Sequence, residues 1–266
     1  MTVKFYKYQG TGNDFIMIDN RTAGLRLKRA AIEKLCHRRF GIGADGLILL
    51  EATKGYDFKM VYYNSDGCES SMCGNGGRCL IQFAHELGLI KKHLPNGRQA
   101  YKFMAIDGEH EGEILKGGIV SLKMKDVSQI KTPGLATVMN TGSPHYVAFV
   151  NDVQQINLVE EARKIRYSKT YTKEGINVNF VQLKSAAEIF VRTYERGVED
   201  ETLSCGTGVV AACLATAMQS TAPLKKIKVQ TKGGKLEVKF TPVKNGFENI
   251  YLLGPAQKVF KGRFEI

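Results

Sequence analysis

Hydrophobic and polar positions alternate in short runs along most of the chain. VKFYKY (3–8), FIMID (15–19), LILLE (47–51), FKMVYYN (58–64), AYKFMAI (100–106) and IVSLKMK (119–125) read as strands. Gly-, Asn- and Asp-rich segments such as TGN, NSDG, DGEHEG and KGG punctuate them as turns. The second half continues in the same style with ATVMN, HYVAFV, INVNFVQL, EIFVRTY, IKVQT, LEVKFTP and ENIYLLG. Helical character replaces the alternation in four places, near 28–38, 74–87, 155–166 and 206–219. In 74–87, Leu80, Ile81, Phe83, Ala84 and Leu87 share one helical face, and Gly88 suits the left-handed position that ends a helix. The stretch 206–219 is apolar nearly all round, which predicts a helix buried on every side.

Two of these helices open alike. Cys73-Gly-Asn-Gly leads into 74–87 and Cys205-Gly-Thr-Gly leads into 206–219, 132 residues further along a chain of 266. Each half then holds one cysteine at the mouth of its main helix, inside a strand-rich frame. The pattern predicts an α+β fold of two similar halves related by a pseudo-twofold, with the active site in the cleft between them.

Composition narrows the function classes. With 43% hydrophobic and 24% charged residues, the chain supports an ordinary core without disulfide or metal staples. The net charge of +12 is spread over scattered lysines and small groups such as Lys225, Lys226 and Lys228, or Arg38 and Arg39. No helix-turn-helix, zinc-finger or interleaved aromatic pattern accompanies it, so no nucleic-acid partner is expected. A solvated basic surface suits a small anionic substrate. MTVKFYKYQG lacks the apolar core of a signal peptide, and the longest apolar run, VVAACLATAM, is too short to span a bilayer. A cytoplasmic protein without a membrane partner is expected, with its six cysteines as thiols.

A cysteine at a helix N-terminus has its thiolate stabilised by the exposed N–H groups, which lower its pKa from about 8.5. Glycines after it let a ligand approach the backbone, and the same N–H groups hold a carboxylate. Two such sites on one ligand suit inversion at a carbon bearing hydrogen, where one group removes a proton and the other returns one. Pyridoxal phosphate chemistry lacks a lysine and phosphate-site signature here. Gly41-Ile-Gly-Ala-Asp-Gly46 follows a helix and precedes a strand, the reverse of a dinucleotide fingerprint, and Gly206-Thr-Gly-Val-Val-Ala211 follows a polar loop. Cys68, Cys73 and Cys79 are poorly spaced for zinc or iron–sulfur, and C-x-x-C is absent. Cys36, Cys79 and Cys213 read as packing residues. A Cys73–Cys205 disulfide would be adventitious oxidation.

GTGNDFIMIDN (10–20), GIGADG (41–46), YNSDGCESSMCGNGGRC (62–79), GSPHYV (142–147), INVNF (176–180) and ERGVEDETLSCGTG (195–208) together resemble the diaminopimelate epimerase family, in its order and over nearly the whole chain. The resemblance implies a cofactor-independent epimerase of LL- and meso-diaminopimelate, serving lysine and peptidoglycan precursor synthesis. Cys73 and Cys205 would be its proton donor and acceptor, with His145 and Glu195 as a polar pair setting their protonation. The N–H groups of Gly74, Asn75, Gly206 and Thr207 would hold the reacting carboxylate. Asn13, Asn64, Asn177 and Arg196 would hold the distal end of the substrate, where an arginine fork suits a carboxylate. Two positions depart from the family: Ser143 stands where many members have Asn, and Gly46 where some carry a substrate-contacting Gln. The resemblance also implies a homodimer and a first domain of 1–127 joined by the tail 255–266, against 128–254. The competing readings are a racemase of another small amino acid, or a thiol-bearing or polyanion-binding protein without catalysis.

Overall fold

A computed structural model describes residues 1–89, 92–93 and 98–265. It divides into two units, residues 1–122 with 254–266, and residues 123–253.

The first unit begins with β1 (Thr2–Gly10) and β2 (Asn13–Asp19), an antiparallel hairpin turning at Thr11 and Gly12, whose φ values are 53° and 86°. Positive φ at both central positions gives the twist a tight hairpin needs. α1 (Arg29–Cys36) crosses over to β3 (Gly46–Glu51), which lies parallel to β2 and antiparallel to β4 (Phe58–Asn64). β5 (Glu69–Ser70) leads to the central helix α2 (Gly74–Glu86), which ends at Leu87 with Gly88 at φ 73°. After β6 (Lys92–His93), β7 (Gln99–Ala105) runs parallel to β4, and β8 (Gly108–Ile114) and β9 (Ile119–Lys123) continue antiparallel.

β8 corrects the reading of DGEHEG as turn alone. Only its start turns; Gly108 to Ile114 pair with β7 along their length. The strand lacks an apolar face in sequence because its inward positions are His110 and Gly112. His110 stacks on Phe103 at 5.4 Å, and a Cβ at Gly112 would come within 2.5 Å of Ile81 in α2 and 2.7 Å of the Ser121 carbonyl.

LILLE is apolar on both faces because β3 is covered on both sides. Ile16, Ile18, Leu47 and Leu49 pack with Ile32 and Cys36 of α1. On the other face Phe15, Ile48 and Met60 lie against α2 where Gly76 allows close approach.

The second unit repeats this plan. β10 (Ile130–Lys131), β11 (Thr137–Asn140) and β12 (Pro144–Phe149) run antiparallel, and α3 (Leu158–Arg166) crosses to β13 (Asn177–Ser185), parallel to β12. β14 (Glu188–Glu195) and the short β15 (Asp200–Thr202) follow, then the central helix α4 (Gly206–Gln219). β16 (Lys226–Thr231) is parallel to β14, and β17 (Gly234–Val243) and β18 (Gly246–Pro255) close antiparallel. α3 covers Val178, Phe180 and Tyr194, and α4 lies against β11 to β14, β16 and β17. In the first unit the strand equivalent to β10 comes from the far end of the chain: β19 (Gln257–Glu265) pairs antiparallel with β1. The fold is therefore mixed α+β, rich in strands, with one buried helix per unit. Among the described residues no helix is long and apolar enough to cross a membrane.

Candidate active site

Cys73 is the last extended residue before α2, with φ −90° and ψ 130°, and its side chain makes no capping hydrogen bond. The first-turn N–H groups of α2 are therefore not occupied by the sulfur, and the partial positive charge of the helix end stays available. The Cys73 Sγ donates instead to Asn13 Oδ1 at 3.5 Å, and Asn75 Nδ2 donates to the same oxygen at 3.4 Å. Asn13 Nδ2 donates to Asp45 Oδ2 at 2.7 Å. Behind Asn75, the guanidinium of Arg78 donates to Asn75 Oδ1 at 3.0 Å and to Thr11 Oγ1 at 3.2 Å. Arg78 is wholly buried, its Nε and Nη1 have no hydrogen-bond partner among the described residues, and burial pulls its pKa down.

Asp45 is anchored in turn. Its Oδ1 accepts from Arg38 at 2.7 Å, and Arg38 also grips Asp14, which pairs with the buried Lys7. Burial raises the Asp14 pKa, but the hydrogen bonds and charges of Arg38 and Lys7 outweigh it and bring it down to about 2.

Cys205 precedes α4 in the same way, at φ −107° and ψ 112°, and is buried. Its Sγ lies 3.5 Å from Thr207 Oγ1, which sits 2.8 Å from His145 Nε2. Asn179 Nδ2 donates to the Tyr146 carbonyl at 3.0 Å, which only accepts, so the amide group also faces His145 Nδ1 at 3.1 Å and Oδ1 accepts from Thr193 Oγ1 at 2.9 Å. His145 is fully buried; burial first, then the charge of Arg196, pull its pKa down to about 3 against the Asn179 hydrogen bond. A neutral imidazole accepting at Nδ1 carries its proton on Nε2, so His145 donates to Thr207. Gly208 makes room for this cluster, since a Cβ there would meet Asn179 Oδ1 at 2.3 Å and His145 Cε1 at 3.3 Å.

Gly74 and Asn75 form the buried first turn of α2, and Gly206, buried, and Thr207, partly buried, open α4. Asn13 lies against Cys73, beside the sulfur. Asn64 is exposed at the end of β4, where its backbone closes the turn to Gly67 and Cys68, and among the described residues its side chain does not join the Asn13 network. Asn177 spends its amide within the chain: Nδ2 donates to Ser143 Oγ at 2.9 Å and the Pro144 carbonyl at 3.1 Å, while Oδ1 accepts the Arg196 N–H at 2.8 Å. Ser143 thus braces Asn177. Arg196 is exposed and bonds the Glu174 carbonyl at 2.8 Å, and Glu195 ends β14 opposite Asp200. At Gly46, opposite Asn64 in β4, a Cβ would come within 2.6 Å of the Tyr62 ring and 2.5 Å of the Tyr63 carbonyl. This chain fills with Tyr62 the space a longer residue would need. Gly76 and Gly77 likewise serve packing, facing Ile48 and Leu122 at 3.0 and 3.1 Å.

Sequence reasoning missed Asp45, Arg78 and Asn179, although all three lie within the motif stretches. Burial pushes the Cys36 and Cys79 thiols up to about 12 and Cys213 well above its ordinary value, as expected of packing residues. Cys68 is exposed. Among the described residues no group of three or more His, Cys, Asp or Glu is arranged to hold a metal ion.

Comparison with known proteins identifies the family. A sequence profile described as diaminopimelate epimerase matches residues 5–111 and 137–259. The diaminopimelate epimerase of Flavobacterium psychrophilum is 51% identical over 97% of this chain and 99% of its own length. That of Chlorobaculum tepidum is 42% identical over 95% and 98%. Among solved structures, a PhzF-family phenazine biosynthesis protein of Bacillus anthracis superposes with a TM-score of 0.76 over 100% of both chains at 14% identity. A probable proline racemase from Agrobacterium radiobacter gives 0.68 over 99% of this chain and 93% of its own, at 13% identity. At such identities these two likenesses speak for the fold alone.

Proposed function

We propose, for a chain that belongs to the diaminopimelate epimerase family and interconverts LL- and meso-2,6-diaminopimelate, a two-base reaction carried by Cys73 and Cys205. One sulfur, as thiolate, takes the α-hydrogen from one face of the carbon. The other, as thiol, delivers a proton to the opposite face, and the roles exchange when the reaction reverses. The observation that carries this reading is the repeated build: each unit ends an extended segment in a cysteine and starts its buried central helix on the next residue.

A hydrogen α to a carboxylate is weakly acidic, so the charge that develops on the carboxylate must be stabilised. The first-turn N–H groups of Gly74, Asn75, Gly206 and Thr207 are oriented before reaction and need no reorganisation during it. In this reading His145 and Glu195 tune the sulfurs, and Asn64, Asn177 and Arg196 receive the distal amino-acid end. Asn13 belongs instead with the reacting end, because its carbonyl oxygen meets the Cys73 sulfur. The working form is taken to be a cytoplasmic homodimer, a state that sedimentation velocity tests.

Replacing either cysteine by alanine removes the acid or base of one face. C73A and C205A are each expected to lose epimerisation of LL-diaminopimelate by at least about a hundredfold, with unchanged circular dichroism. Wild-type turnover by either folded variant would contradict the two-thiol reaction.

A further inference from the structure

The hydrogen-bond chains behind the two sulfurs run in opposite directions. In the first unit both ends have a single role: the Arg78 guanidinium only donates, and the Asp45 carboxylate only accepts. Arg78 therefore fixes Asn75 with its oxygen inward and its amide group toward Asn13. Asp45 fixes Asn13 with its amide group outward and its oxygen toward Asn75 and the Cys73 sulfur. At Cys73 the sulfur is the donor. In the second unit the Tyr146 carbonyl, which only accepts, fixes the Asn179 amide group on its own side, Asn179 makes Nδ1 of His145 an acceptor, and Nε2–H donates to Thr207. The Thr207 oxygen has then accepted its bond, and its own hydrogen is free to point at the Cys205 sulfur 3.5 Å away. At Cys205 the sulfur is the acceptor.

We infer that, before substrate binds, Cys73 rests as the thiol and Cys205 as the thiolate, with Asp45, Arg78 and Asn179 as positioning residues that set this asymmetry through Asn13 and His145. The inference rests on the two-thiol reading above and deepens it by assigning the resting roles. A hydrogen bond to the neutral form of a group favours that form, and one to its charged form favours the charge. Both sulfurs share the dipole of a helix N-terminus, so the dipole does not distinguish them. Other groups near Cys73 are Cys79 in the same unit and Asp107, which accepts the Met72 N–H at 3.3 Å, while Arg38, Asp14 and Lys7 stand behind Asp45. The charge of Arg78 favours a negative sulfur at Cys73; the acceptor oxygen in direct contact opposes it, and the inference commits to the contact. At the end of β14, which packs against α4, the charged groups are Glu195, its last residue, and Arg196 just beyond it; Arg192, earlier on the strand, is paired with Glu201.

The test alkylates the full chain with iodoacetamide across the titration range of a thiol, without substrate, and reads each cysteine by peptide mass spectrometry. The midpoint of each pH profile is compared, because it does not depend on accessibility. Cys205 is expected to reach half-maximal reactivity about one pH unit or more below Cys73. Thr207→Val removes the donor and should raise the Cys205 midpoint while leaving that of Cys73. Asp45→Asn frees the Asn13 amide to turn and should lower the Cys73 midpoint. Asp14→Asn removes the same charge without touching the Asn13 side chain and should lower it less. Coincident midpoints, a lower midpoint at Cys73, or equal shifts in the two aspartate variants would overturn the inference. Split midpoints in a chain that does not epimerise would count against the two-thiol reaction instead, so the two failures are told apart.

Discussion

A neutral imidazole buried at position 145 ties stability to pH. The unfolded chain takes up a proton at this residue below about 6.5, whereas the folded chain holds it off until about 3. Between these values the unfolded state binds more protons, so stability falls as pH falls, by up to about 1.4 kcal/mol per pH unit for one group. Asp14 acts lower: its carboxylate contributes stability above its ordinary 3.8, which is lost as pH falls toward about 2. Urea unfolding of the wild type should shift to lower denaturant as pH drops below about 6.5, and His145→Gln should flatten that dependence; an unchanged slope in the variant would contradict the burial argument. At this scale the sequence announces the cysteines, because the motif repeats. The residues that orient them stay hidden. Asp45 acts through Asn13 and Asn179 through His145, partners 32 and 34 positions away that only the folded strands bring together.

Elements were legible where one face is apolar. The four helices and most strands follow the periodicity of the chain, and α4 is as buried as its composition implies. β8 was not, because a strand that presents His110 and Gly112 inward offers no hydrophobic alternation to read. The packing that hides it is also what makes it sensitive. Gly112→Val would press on Ile81 of α2 and on the Ser121 carbonyl, which cannot move without breaking the β8–β9 ladder. The expected loss is about 1–3 kcal/mol, typical of overpacking, read as a lower urea midpoint; an unchanged midpoint would mean the helix can withdraw freely from the sheet.

Across the whole molecule, each unit runs its eight main strands in the order antiparallel, antiparallel, parallel, antiparallel, parallel, antiparallel, antiparallel. The first unit completes that order only with β19, whose Phe264 packs against the α1 side of the core and whose Lys258 pairs with Glu86 of α2. Ending the chain at Pro255 would bare the edge of β1 and expose Phe5, a template for aggregation. Such a chain should lose its monodisperse peak in size-exclusion chromatography; an unaltered peak with an unaltered unfolding midpoint would contradict the role given to β19. The repeat also underlies the two-base proposal, in which two cysteines, one from each unit, serve opposite faces of one carbon. The most direct test follows LL-diaminopimelate in heavy water without added cofactor, sampled before the product returns. Two bases predict meso product carrying solvent deuterium at the inverted carbon while the remaining LL substrate stays protiated. Product that retains the substrate's own hydrogen at that carbon would contradict it.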